Sequence, residues 1–86
     1  MRALTGHGIG KQMHEDPQVA NFVTGGQGLR LRAGMAIAIE PMINQGTWQV
    51  RFLDDGWSVL TMDGKPSAHY ENTVIITEGE PIVTTL

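Results

Sequence analysis

From residue 34 onward the sequence falls into short apolar runs, each closed by glycine, proline or an Asp/Asn turn signal. None has the length or the 3.6-residue period of an amphipathic helix, so this region has to fold as sheet. Residues 35–43 form one apolar run between Gly34 and Asn44-Gln45-Gly46, with Ile37 and Ile39 on one face and the alanines on the other. Residues 48–52 and 57–61 predict two short strands around the turn Asp54-Asp55-Gly56. Asp63-Gly64-Lys65-Pro66 is a further turn, and residues 67–77 predict a long strand that ends β-branched at Thr73-Val74-Ile75-Ile76-Thr77. Glu78-Gly79-Glu80-Pro81 then turns into a last short strand over residues 82–85.

The first third is different. Gly6, Gly8 and Gly10 alternate with His7 and Ile9, a spacing that suits a bent strand or tight loop where backbones approach closely. Pro17 pushes Asp16 toward an extended conformation, and Gly25, Gly26 and Gly28 mark a loop. There is no internal repeat, linker or low-complexity segment, so residues 1–86 are read as one unit. The expected picture is a mostly antiparallel sheet with one face in need of a cover: either a second sheet layer forms, or the cover is missing from this chain.

Composition narrows the function classes. With 41% apolar residues a core is possible, although a chain of 86 residues buries a modest share of its surface. No cysteine is present, which removes disulfides and thiolate metal sites and fits a reducing cytoplasm. The net charge is −3 and the basic residues are scattered, so no nucleic-acid partner is expected. No apolar stretch approaches the roughly 20 residues of a membrane helix, and the first ten residues have no signal-peptide core. A soluble cytoplasmic protein or fragment, with no membrane partner, is the expectation.

Three places carry possible chemistry: His7 among glycines with His14-Glu15-Asp16-Pro17 after it, Glu40 inside the most apolar run, and Glu71 just before another. Taken singly, each has a plain alternative. His7 can be a loop histidine bonded to backbone, Glu40 can mark a strand end before Pro41, and Glu71 can face outward. A buried carboxylate, however, is costly unless paired or bound to metal. One imidazole and two carboxylates together suit manganese, iron, cobalt or zinc, metals that activate water for hydrolysis. Trp48 and Trp57 read as core or as pocket lining.

These motifs resemble the pita-bread metallopeptidases. Thr5-Gly6-His7-Gly8-Ile9-Gly10 with His14-Glu15-Asp16-Pro17 resembles their histidine segment, and Gly34-Met35 with Ile39-Glu40-Pro41-Met42 their first glutamate segment. Residues 55–73, with Asp55-Gly56-Trp57 and Asp63-Gly64-Lys65-Pro66-Ser67-Ala68 leading to Glu71 and Thr73, resemble the second in its type I methionine aminopeptidase form. Xaa-Pro peptidases share the first two motifs more loosely and form the alternative.

The resemblance implies an α+β fold of which this chain is the carboxy-terminal part, mostly antiparallel strands with few helices. It implies removal of the N-terminal methionine from nascent proteins and peptides, using two divalent metal ions (Co, Mn, Fe or Zn). By the same resemblance His7, Glu40 and Glu71 are metal ligands, Glu40 is also the general base, His14 binds and polarises the substrate, and Trp57 lines the methionine pocket. The family's two aspartate ligands lie upstream of the histidine segment and have no counterpart here. The chain alone is therefore expected to hold at most one metal, and to self-associate or pair with a missing amino-terminal half. A non-catalytic metal- or peptide-binding remnant, or an interaction fragment, is the further alternative. His69 stands where a glutamine is common, Asn72 where a histidine is common, and Met13 where another aromatic or aliphatic residue is common.

Overall fold

The computed structural model describes residues 2–85, and every regular element among them is a strand. The helices of the expected α+β class are not found in these residues. Strands β1 (Gly6–Gly8), β2 (Glu15–Val19), β3 (Ala36–Ile39), β8 (Asn72–Ile75) and β9 (Ile82–Val83) form one sheet in the order β2-β1-β3-β8-β9. All its pairings are antiparallel. Strands β4 (Met42–Asn44) and β7 (Ser67–His69) form a two-stranded sheet, and β5 (Val50–Phe52) and β6 (Val59–Thr61) another.

The run at residues 35–43 and the strand expected over 67–77 are each divided in two. The cause is Pro41. The register is continuous across the division, because Ile39 faces Asn72 and Met42 faces His69. Pro41 therefore stands opposite Tyr70. Tyr70 donates its N–H to the Pro41 carbonyl at 3.2 Å. Pro41 has no N–H to return, so the ladder loses one bond at that pair and the two strands bend together.

Other predicted boundaries also move. Strand β6 begins at Val59 rather than residue 57, because the Asp55 carboxylate accepts the N–H groups of Trp57 (2.9 Å) and Ser58 (2.8 Å) and keeps both in the turn. Strand β2 was not expected as a strand. Gly56 at φ 71° and Gly64 at φ 76° occupy the turn positions that their sequence contexts predict.

The glycine alternation of β1 is a packing requirement. A Cβ on Gly6 would lie 2.2 Å from the Ala38 carbonyl oxygen, and one on Gly8 would lie 2.1 Å from that of Asp16. Strand β1 is thus pressed between β2 and β3 with no room for side chains at those two positions, and His7 between them points to the opposite face.

Among the described residues the buried apolar core is Ile37, Ala38 and Val74. Burying an Ile or Val contributes about 1.5–3 kcal/mol each, a thin return for a sheet of this extent. Large apolar side chains stay in solvent: Val23 is 95% exposed, Trp57 89%, Ile43 68% and Phe52 61%. Among the described residues no helix covers the sheet. No helix among the described residues is long and apolar enough to cross a membrane.

Candidate metal centre

Strand periodicity explains why three distant residues meet. Ala38 pairs with His7 on one side and Thr73 on the other, so these three share a face. Two residues along each strand, Glu40 and Glu71 share that face and stand directly opposite one another. The N–H···O bonds of Ile76 to Met35 and of Tyr70 to Pro41 mark hydrogen-bonded pairs, which makes Glu40 and Glu71 a non-hydrogen-bonded pair. In such pairs the Cα atoms approach to about 4.5 Å and the side chains are closest. Ala38, fully buried and small, is the cross-strand neighbour of His7 on that face.

The result is a cluster in which one ligand atom each from His7, Glu40 and Glu71 lies within 4.8 Å of the others. Opposite ligands of one ion with bonds near 2.1 Å are about 4.2 Å apart, so the cluster has nearly the dimensions of a coordination shell. His7 Nε2 lies 3.1 Å from Glu40 Oε1. The side chains of His7 and Glu40 are only 14% and 15% exposed.

The histidine's other nitrogen decides what that contact means. His7 Nδ1 is 2.9 Å from the Gly8 carbonyl oxygen, an acceptor, so Nδ1 carries a proton. In neutral His7 the Nε2 lone pair then faces a carboxylate oxygen, while a second carboxylate stands opposite the first. Three electron-rich atoms converge, and like charges directly opposed across strands destabilise a sheet. A cation among them removes the conflict. The residues fit a divalent metal ion in number, type and tautomer.

The remaining predicted residues are placed as follows. The His14 ring is tilted against that of His7, with centroids 4.3 Å apart. Both line an open cleft of about 650 Å³, with Thr5, Gln12, Glu15, Asp16 and Gln18. Trp57 is not brought to this cleft; it projects from the β5–β6 turn into solvent. Asp55 and Asp63 serve turns. The Ser58 hydroxyl and amide and the Trp57 amide hold the Asp55 carboxyl below its ordinary range, and the Thr47 and Lys65 amides do the same for Asp63.

Two residues of the site were not assigned roles from sequence. Asn21 Nδ2 donates to the Glu40 carbonyl at 3.2 Å and the Leu4 carbonyl at 3.1 Å, tying the loop after β2 to the backbone beneath the site. Nothing in its local sequence signals this. His69 Nε2 lies 3.3 Å from Glu40 Oε2 and 4.0 Å from Glu71 Oε2. Its signal was available: His69 and Glu71 are two apart in a strand and so share a face.

Comparison with known proteins gives the family. Residues 1–78 match metallopeptidase family M24. The methionine aminopeptidase of Clostridium perfringens is 57% identical over 86 residues, which is all of this chain and 34% of that protein. Crystal structures of methionine aminopeptidases superimpose closely. That from Thermotoga maritima gives a TM-score of 0.91 at 47% identity, covering 96% of this chain and 33% of its own. That from Rickettsia prowazekii gives 0.93 at 41%, covering 99% and 35%. The chain thus spans about one third of the length of the relatives it matches. On the match over residues 1–78, the chain belongs to metallopeptidase family M24.

Proposed function

We propose that residues 1–86 form a single partial domain, the carboxy-terminal part of an α+β pita-bread methionine aminopeptidase. The whole protein would act in the cytoplasm and remove N-terminal methionine from nascent proteins and peptides. The observation that carries the reading is the convergence of His7 Nε2, Glu40 and Glu71 on one sheet face, with the His7 tautomer set for a cation. His7, Glu40 and Glu71 hold a divalent metal (Co, Mn, Fe or Zn), and the second metal of the pair takes further ligands from the rest of the protein. The bound metal supplies Lewis-acid polarisation of the scissile carbonyl and lowers the pKa of the attacking water.

In this reading Glu40 accepts the proton of that water. His14, at the edge of the cleft beside His7, donates a hydrogen bond to the substrate peptide and to the oxygen that gains charge. Trp57 lines the methionine pocket. Its exposure supports a role completed by parts of the protein beyond these residues. The exposed apolar side chains support the same arrangement: the amino-terminal part covers the sheet. Sedimentation of residues 1–86 alone as a compact folded monomer would refute that cover, and a stable homo-oligomer would replace it with self-association.

The test of function is release of methionine from a Met-Gly-Met peptide by the whole polypeptide that carries residues 1–86, with Mn(II) or Co(II) added. Release should depend on metal and be lost in His7→Ala. Release without metal, or undiminished in His7→Ala, would overturn the proposal.

A further inference from the structure

The Glu40 carboxylate lies between two imidazoles. His7 Nε2 is 3.1 Å from Oε1 on one side, and His69 Nε2 is 3.3 Å from Oε2 on the other. These two histidines have different freedoms. His7 Nδ1 faces the Gly8 carbonyl, so in the neutral ring Nε2 is left without a proton, the form a ligand needs. His69, 45% exposed at the carboxyl end of β7, has both carboxylates in front of its Nε2 and shares their face by strand alternation. A His69 with its proton on Nε2 gives the Glu40 Oε2 a donor and leaves Oε1 facing His7 Nε2.

We infer that His69 is a positioning residue of the metal centre: its Nε2–H holds the outer oxygen of Glu40 and leaves Oε1 available to a metal. This rests on the reading that His7, Glu40 and Glu71 hold the metal. The physical reason is general. A ligating carboxylate left without an outer partner swings between one-oxygen and two-oxygen binding, and loss of such partners typically lowers metal affinity 10–100-fold. Glu40 needs the restraint more than most, because Pro41 follows it and the ladder is one bond short there. His69 faces Met42, the first residue after that weakened step, so it bridges the break through the side chain.

The experiment is calorimetric titration of the whole polypeptide with Mn(II), comparing wild type with His69→Ala, His69→Leu and His69→Gln. Removal of the donor in the Ala or Leu variant should weaken Mn(II) binding 10–100-fold. The Gln variant keeps an N–H donor at similar reach and should stay within about threefold of wild type. Leu retains bulk, so it carries the comparison where Ala disturbs folding. Pulsed electron paramagnetic resonance of bound Mn(II) should show the same directly coordinated nitrogen in wild type and His69→Gln. Unchanged affinity in both Ala and Leu variants overturns the inference. Loss of a coordinated nitrogen in His69→Gln also overturns it, because His69 would then be a ligand. A wild-type protein that binds no Mn(II) defeats the metal-centre reading itself, a result distinct from either.

Discussion

Replacing Gly6 by alanine tests the link between the glycine-rich strand and the metal centre. The added Cβ would sit 2.2 Å from the Ala38 carbonyl oxygen, more than 1 Å inside the 3.4 Å at which ordinary contact begins. The Ala38 backbone cannot yield, because it is fully buried and paired on both sides. Strand β1 must move instead. Forced overpacking costs about 1–3 kcal/mol, and each of the few β1–β3 hydrogen bonds that lengthens adds about 1 kcal/mol. About 3 kcal/mol is a large part of a domain's stability, and for a polypeptide the length of the matched relatives it corresponds to a fall in Tm of roughly 6–12 °C. The same movement carries His7 away from Glu40, so Mn(II) affinity should fall with stability. Thermal unfolding and calorimetric titration of the whole polypeptide read both. Gly79→Ala is the reference, since a Cβ there meets nothing within 4 Å. If Gly6→Ala melts and binds metal as Gly79→Ala does, the packing argument is wrong.

Three further outcomes are expected. Ala38→Leu places bulk beside His7 on that face and should lower both stability, by about 1–3 kcal/mol, and metal affinity, read by the same two assays. Trp57→Ala should raise KM for methionyl peptides in the whole polypeptide, while in residues 1–86 alone, where the side chain is 89% exposed, it should change unfolding stability by no more than about 0.5 kcal/mol. Acid should loosen the β5–β6 region. Asp55 and Asp63 have folded pKa values below the ordinary 3.8, so the stability they add is complete above that value and is lost as pH falls through the lowered one. Tryptophan fluorescence below pH 3.8 should report this change, and Asp55→Asn should remove part of it.

Much of the architecture was legible locally. Turn chemistry placed the bends at Asp54-Asp55-Gly56 and Asp63-Gly64, and alternation put Ile37 on the face opposite Ala38. The alternating glycines announced a close backbone approach before any neighbour was known. The break at Pro41 was open in the sequence, where Glu40 could mark a strand end, whereas the matching break near Tyr70 was missed because it depends on the proline across the ladder. Strand β2 was missed because Glu15-Asp16-Pro17-Gln18-Val19 lacks apolar alternation and is a strand only through its pairing with β1.

The residue types of the site, one histidine and two glutamates in distant motifs, were set by the sequence and matched to a metal by their chemistry and by family resemblance. Only the tertiary structure decided that they meet. Local signals set turns and strand periods, whereas register is a non-local choice, and a slip of one residue would have sent Glu40 and Glu71 to opposite faces. That choice places the two carboxylates at a non-hydrogen-bonded pair, with His7 one row away and His69 against the outer oxygen.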